Sequence, residues 1–327
     1  MSTFSENFCA DLHCHSTVSD GVFAPDVLAL RAKDAGVDLW SLTDHDELSG
    51  QALAIETARD IGLRYLTGVE ISVTWANQTV HIVGLGIDPK NDTLIEGLRQ
   101  TRAGRADRAK RIGERLAALG MPGAFEGALT FAGNPELISR THFARFLVQA
   151  GYFSQVQAVF DRLLKDDGPA HEPMQWASLE SALGWIDAAG GVSVIAHPGR
   201  YKYTETQFGA FFDSFKDFGG RAIEVITGSH SVPQFQEYAQ VARHYGFQAS
   251  CGSDFHSPHE SRIQLGSLPP LATANCHLDI EVIPVNSQCA RSARYSVRAG
   301  SYREGACAPP SALWSMELYL CLRFGFR

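Results

Sequence analysis

Nine candidate metal ligands punctuate the ends of short apolar runs across the first 256 residues: His13, His15, Asp20, His45, Glu70, His81, His197, Asp254 and His256. Few folds place imidazoles and carboxylates at the ends of six different strands unless those ends meet, because a buried polar group without a partner is costly. The pattern therefore calls for an architecture that gathers strand ends from distant parts of the chain. It also calls for something that such a set can bind, and a cluster of divalent cations satisfies it.

Strand and helix alternate along the chain. Residues 7–13 read as a short strand, Pro25 opens a helix whose apolar face carries Val27, Leu28 and Leu30, and Gly36 closes it. Further strands are predicted over 39–43, 64–69, 79–84, 192–196, 222–226 and 247–251, with helices over 50–60, 208–218 and 234–245. Seven strands, mostly followed by helices, predict a parallel α/β barrel or a barrel-like variant. In that class the chemistry collects at the carboxyl ends of strands, where most of the ligand set falls. Between the two runs, residues 91–177 are helix-like, with one long helix over 94–119 and another over 140–150. They read as a helical insertion above the barrel mouth. The chain then divides into 1–90 and 178–270 for the barrel, 91–177 for the insertion and 271–327 for a tail.

Composition removes several function classes. An apolar share of 45% with 20% charged residues over 327 positions describes a soluble domain with ample core. No run of about 18 apolar residues occurs, so no membrane span is expected, and the polar start from Met1 to Phe8 does not read as a secretory signal. Seven cysteines without a CxxC pair fit reduced thiols and a cytoplasmic location. A net charge of −8 argues against a stable nucleic-acid partner coating the surface, though not against a local anion site. Beyond Pro269 and Pro270 the character changes: the tail lacks lysine, carries four of the seven cysteines and has one short apolar stretch near 313–322. It reads either as a poorly ordered extension or as a sequence that diverged abruptly, as an out-of-frame translation would.

The ligand motifs have distinct geometries. Strand side chains alternate, so Asp11, His13 and His15 share one face, and two imidazoles at i and i+2 can reach one ion with Asp11 as an orienting partner. Asp254 and His256 repeat that spacing. After the strand over 39–43, Asp44, His45 and Asp46 offer one imidazole and two carboxylates that could orient it. Glu70 closes the strand over 64–69, and His197 ends an apolar run before the Pro198-Gly199 turn. Asp20 before Gly21 would by itself be a turn residue. His81 among β-branched neighbours would by itself be a core histidine. Their joint occurrence in order makes coincidence a poor explanation.

This ordered set resembles the polymerase and histidinol phosphatase (PHP) family over residues 8–270, through His13-x-His15, Thr43-Asp44-His45, Gly68-Val-Glu70, His197-Pro198 and Asp254-x-His256. The resemblance implies a distorted seven-stranded (β/α) barrel with an inserted helical subdomain. It also implies three divalent ions, expected as manganese, with iron, zinc or magnesium as alternatives. His13, His15, Glu70 and Asp254 would hold one ion, Glu70 would bridge to a second held by His81 and His197, and Asp20, His45 and His256 would hold a third. Within the family, the stretches 80–87, 138–145 and 197–200 look most like bacterial members acting on nucleotides. Some of these remove the 3′-phosphate of nucleoside 3′,5′-bisphosphates, and others degrade short 5′-phosphorylated RNA in the 5′→3′ direction. The expected activity is therefore metal-dependent hydrolysis of nucleotide phosphate esters.

Three carboxylates against three divalent ions would leave a net charge of about +3, suited to a phosphomonoester dianion. Water activated by the cations, rather than a side-chain base, is the expected nucleophile. His230 is the candidate for protonating the leaving oxygen. Arg102, Arg105, Arg108, Lys110, Arg111 and Arg115 crowd the long helix predicted over 94–119. Such a run is commonly a solvated face, but planar guanidinium forks suit phosphate oxygens. The resemblance points to Arg108, Arg111, Arg140 and Arg200 as phosphate contacts. Competing readings are an amidohydrolase or histidinol-phosphate phosphatase on the same metals, a non-catalytic metal-binding module, and a nucleic-acid-binding protein.

Overall fold

The computed structural model describes residues 8–271 together with the strands Asp279–Pro284 and Leu318–Arg323. The chain opens with β1 (Ala10–Asp11), α1 (Pro25–Asp34), β2 (Leu39–Trp40), α2 (Gln51–Asp60) and β3 (Arg64–Tyr65). These strands pair in parallel in the order β1-β2-β3. Pro25 stands at the first turn of α1, where its missing N–H costs nothing. The buried Leu28, Ala29 and Ala32 face Trp40 and Leu42 in one apolar cluster. Each fully buried aliphatic side chain of this kind contributes about 1.5–3 kcal/mol.

The strand predicted over 64–69 breaks into two. After β3 the chain re-enters as β4 (Gly68–Trp75) and returns as β5 (Gln78–Leu85), an antiparallel hairpin. Its turn, Ala76-Asn77, has both residues at positive φ (46° and 60°), the conformation whose twist matches paired strands. Glu70 therefore lies near the start of a long strand rather than closing a short one. The larger sheet is mixed rather than parallel, because β5 is antiparallel to both neighbours.

Next come α3 (Asp92–Arg102), α4 (Arg105–Ala118), α5 (Ala124–Leu129), α6 (Arg140–Gln149) and α7 (Val156–Val159). The single helix predicted over 94–119 is interrupted at Gly104, whose φ of +91° is accessible to glycine at little cost. The two pieces do different work. Leu94 and Leu98 of α3 join the main core, while Ile112 and Leu116 of α4 join a separate cluster with Phe143, Leu147 and Leu164.

The remainder is β6 (Ala177–Ser178), α8 (Leu179–Ala188), β7 (Val192–Ile195), α9 (Glu205–Asp217), β8 (Ala222–Thr227), α10 (Val232–Tyr245) and β9 (Gln248–Gly252). Two tail strands, β10 (Asp279–Pro284) and β11 (Leu318–Arg323), pair antiparallel, and β11 meets β9 through Leu322 and Ala249. The rest of the tail reading, and the start of the first predicted strand at Asn7, lie outside the described residues. The larger sheet runs β10-β11-β9-β8-β7-β5-β4-β6. The two sheets are not one continuous closed ladder. Single bridges join them, between Cys14 and Phe255 and between His45 and Glu70. Backbone bonds from Leu12 N to Cys251 O and from Asp254 N to His13 O lie beside the first bridge. Gly252 permits that approach, since a Cβ there would come within 2.2 Å of the His13 Cβ.

Candidate metal centre

The sheet-joining bridges bring the nine side chains together. His13 and His15 follow β1 and are zipped to the segment carrying Asp254, through His15 N to Phe255 O and Asp254 N to His13 O. His45 is placed by two backbone bonds that flank it, Glu70 N to Asp44 O and Asp46 N to Glu70 O. His81 projects from β5, and His197 follows β7. Three non-glycine residues here, Asp46, His197 and Asp254, have positive φ (51°, 30° and 54°). Such conformations persist where the surroundings over-determine them, and they cluster at functional sites.

Four overlapping groups emerge, with ligand atoms in each within 4.8 Å of one another: His15, Asp20, His45 and His256; His13, His15 and Asp254; His13, Glu70 and His197; His45, Glu70 and His81. Nitrogen and oxygen ligands about 2.1 Å from a zinc-like ion sit roughly 3.0–3.4 Å apart. The separations here fall close to that scale. His13 Nε2 lies 3.3 Å from Glu70 Oε2, His15 Nε2 lies 3.2 Å from the same oxygen and 3.3 Å from Asp254 Oδ1. His197 Nε2 and His81 Nδ1 lie 3.0 and 2.8 Å from Glu70 Oε1, and His256 Nε2 lies 3.3 Å from Asp20 Oδ1.

The donor chemistry fits cations. His45 Nδ1 and Glu70 Oε2 are 2.9 Å apart, yet both are buried atoms without a hydrogen bond, and Asp20 Oδ1 is a third. Buried polar atoms that converge without bonding one another are what a coordinated ion would satisfy. Electrostatics agree in part. Burial opposes ionisation of Asp20, Glu70 and Asp254, but the surrounding histidines hold all three well below the usual carboxylate range. Burial and then Arg200 push His197 down to about 3, so it is a neutral donor. Burial lowers His45 too, but Glu70 and Asp20 outweigh it and raise the ring to about 9. Loading the site must therefore release protons.

The orienting partners differ from expectation. Asp11 does not hold a ligand ring: its Oδ1 accepts from Ser253 N at 2.8 Å, tying down the loop before Asp254. Burial lifts its carboxyl to about 6. Asp44 accepts from Ser16 N, Ser16 Oγ and Ser19 Oγ, ordering the loop that carries Asp20. Asp46 accepts from Ser72 and pairs with Arg105. Neither of these two orients His45. The residue that sequence reasoning missed is Glu224, buried in β8. Its Oε1 lies 2.8 Å from His13 Nδ1 and its Oε2 accepts from His197 N at 2.6 Å. A glutamate amid the apolar run of β8 was the available signal.

The cavity over these residues is also lined by Ser72, Arg105, Arg108, Ser139, Arg140, Thr141, Phe160, Trp176 and Arg200. Arg108 is buried, lies 5.5 Å from the Trp176 ring centre and donates to Glu172 O. Burial, then Arg140 and Arg105, lower its pKa to about 9. Arg140 donates to Leu164 O and Asp166 at its rim. Arg200 pairs with Asp254 at 2.8 Å. Arg111 is elsewhere: it lies outside the cavity lining and is half-exposed against Glu172. His230 is likewise outside it. Its Nδ1 lies 3.0 Å from Val225 O, its Nε2 accepts from Gly199 N, and burial lowers it to about 4. With both ring nitrogens engaged by backbone, it is poorly placed to protonate a leaving group.

The PHP domain model matches residues 11–204, which include the candidate ligands from His13 to His197. The chain belongs to the PHP family. Among curated proteins it is 46% identical over 264 residues to a 3′,5′-nucleoside bisphosphate phosphatase of Chromobacterium violaceum, covering 80% of this chain and 93% of that protein. It is 38% identical over 275 residues to a 5′-3′ exoribonuclease of Haemophilus influenzae, covering 84% and 97% respectively. A solved structure described as an amidohydrolase from Chromobacterium violaceum, with sulfate and no metal, superposes with a TM-score of 0.77 at 46% identity. It covers 80% of this chain and 92% of that one. The family match agrees with the α/β arrangement of this PHP domain.

Proposed function

We propose that this PHP protein is a metal-dependent phosphoesterase that removes the 3′-phosphate of nucleoside 3′,5′-bisphosphates. One observation carries the reading: four overlapping ligand groups open into a cavity edged by Arg108, Arg140 and Arg200. The similarity to a relative of that name points to the same substrate class. The exoribonuclease relative supports 5′→3′ cleavage of short 5′-phosphorylated RNA as a second reading, since both substrates present a phosphate near a scissile ester.

We read the two bridged sheets as a distorted seven-stranded barrel, with residues 91–177 as a helical insertion over its mouth. His13, His15, Glu70 and Asp254 would hold one ion, His81 and His197 with Glu70 a second, and Asp20, His45 and His256 a third. Manganese suits this mixture of imidazole and carboxylate, with iron, zinc or magnesium as alternatives. Bound there, such ions supply Lewis acidity toward phosphoryl oxygens and lower the pKa of water. The protein does the rest. Glu224 fixes His13 with Nε2 facing the cluster. Arg108, Arg140 and Arg200 orient the phosphate groups through charge-assisted hydrogen bonds, while Trp176 and Phe160 give the rim an apolar wall that limits water. Among the described residues no helix is long and apolar enough to cross a membrane. The free thiols of Cys9, Cys14 and Cys251 suit a reducing compartment, the cytoplasm.

With Mn²⁺ supplied, the protein should release phosphate from a nucleoside 3′,5′-bisphosphate and leave the 5′-mononucleotide, with histidinol phosphate turned over far more slowly. Mononucleotide release from a 5′-phosphorylated oligoribonucleotide, without attack on the bisphosphate, would replace the first reading by the second.

A further inference from the structure

The ligand groups are not all held by the same part of the molecule. His13, Glu70 and His197 make no hydrogen bond of their own to residues 91–177 among the described residues, and on the strand of Glu70 the contacts from that range fall at Ser72 and Thr74, whereas the loops carrying Asp20, His45 and His256 are met by α3, by α6 and by the N-cap of α6. Ser139, the N-cap of α6, donates its hydroxyl to Asp20 Oδ2 at 3.1 Å while accepting from Thr141 N. That leaves Asp20 Oδ1 buried, without a hydrogen bond, and 3.3 and 3.9 Å from the Nε2 atoms of His256 and His45. Gly133 lies against the same loop so closely that a Cβ would come within 2.4 Å of Thr17 O.

A second tether reaches His256. Arg145 of α6 makes a two-pronged pair with Glu260, at 2.8 and 2.6 Å. Glu260 N donates to Ser257 Oγ, and in the same turn Ser261 Oγ accepts from His256 N at 2.8 Å. A third tether flanks His45, where Arg102 donates to Asp46 O and lies 3.3 Å from Glu47.

We propose that Ser139 and the Arg145–Glu260 pair are positioning residues for the cation held by Asp20, His45 and His256, so that docking of the insertion completes that one coordination position. The inference rests on the metal-site reading above. A carboxylate has two oxygens, and the Ser139 hydroxyl decides which is committed to protein and which is left for the ion. Partners of this kind change metal affinity by about 10–100-fold when lost. Coupling is reciprocal, so filling the position must in turn tighten α6.

The test is calorimetric titration of Mn²⁺ into the metal-stripped full chain. Ser139→Gly removes the hydroxyl but keeps a residue that N-caps helices well, and the φ of −121° at this position is ordinary. One class of Mn²⁺ sites should weaken about 10–100-fold while the others hold their affinity. Ser139→Thr should restore it, and Glu260→Gln should weaken the same class. Mn²⁺ should also slow amide exchange across α6 in the parent chain and do so less in Ser139→Gly. Uptake of Mn²⁺ with an unchanged set of affinities in Ser139→Gly, equal weakening of all sites, or no recovery in Ser139→Thr would overturn this inference alone. A parent chain that takes up no Mn²⁺ would overturn both it and the phosphoesterase reading.

Discussion

The inner and outer halves of the ligand cluster use the same residue types and are built by opposite means. In the inner half, His13, Glu70 and His197 are almost fully buried, and the groups that hold His13 and His197 from behind come from β8, through Glu224. In the outer half, the His45 and His256 side chains are 15% and 19% exposed, their loops are pinned by ion pairs from Arg102 and Arg145, and the Ser139 hydroxyl holds Asp20. Interior packing fixes a group because few alternative arrangements fit. Docking across an interface fixes it only while the interface holds. A single ligand cluster thus combines a floor fixed by packing with a wall fixed by contacts from residues 91–177.

Glu70 joins the two halves, so its loss should have the largest effect. Its Oε1 faces His81 and His197, while its Oε2 faces His13, His15 and His45. Glu70→Gln should cut phosphate release about a thousandfold or more, the scale expected when several kcal/mol of charge stabilisation vanish. It should also lower the number of ions retained after dialysis. Near-normal turnover with an unchanged ion count would mean that Glu70 does not join the halves.

Glu224→Gln probes the inner half alone. Its carboxylate engages two donors with two oxygens, His13 Nδ1 and His197 N, and an amide has only one acceptor oxygen. Either one of the two groups loses its acceptor, or the His13 ring must switch tautomer and carry its proton on Nε2, the atom that faces the cluster. Mn²⁺ affinity should fall about 10–100-fold at the sites that include His13 and His197, read by calorimetry. Because Glu224 makes no hydrogen bond to residues 91–177 among the described residues, amide exchange in α6 should stay as it was. A loss confined to the outer sites would reverse the assignment.

Much of this was legible in the sequence, and the boundary between what was and was not is physical. The nine candidate ligands, whose side chains the fold brings together, could be picked out because most lie in short motifs after an apolar run; Asp20 and His81 stood out only in company with the rest. Pro25, Gly36 and Gly62 marked helix limits because their backbone preferences act locally. The β4–β5 hairpin escaped because Ala76-Asn77 lacks the glycine that signals such turns, although both residues adopt the required positive φ. That miss carried a consequence, since it made the sheet look parallel and put Glu70 at a strand end. Glu224 escaped for another reason: its partner His13 is 211 positions away. The contacts of α6 and its N-cap escaped likewise, with 119 positions between Ser139 and Asp20 and 115 between Arg145 and Glu260. No local pattern encodes such pairs.

The smallest expected effects separate two arginines that the sequence treats alike. Arg140 edges the cavity beside Phe160 and donates to Leu164 O and the exposed Asp166. Arg111 sits on the outer side of α4, shared with Arg115 across the Glu172 carboxylate. Arg140→Ala should raise KM for a 3′,5′-bisphosphate about tenfold, the value of one charge-assisted hydrogen bond. A substrate with a single phosphate should change far less, because the lost contact serves the second group. Arg111→Ala should shift KM for either substrate less than about twofold, since exposed ion pairs contribute at most about 1 kcal/mol. Equal effects of Arg140→Ala on both substrates would remove it from the second-phosphate site. An Arg111→Ala effect as large as that of Arg140→Ala would mean that α4 turns on substrate binding and trades Glu172 for phosphate. Substrate would then act on the outer half through α4, while the inner half, held by Glu224, would stay as it is.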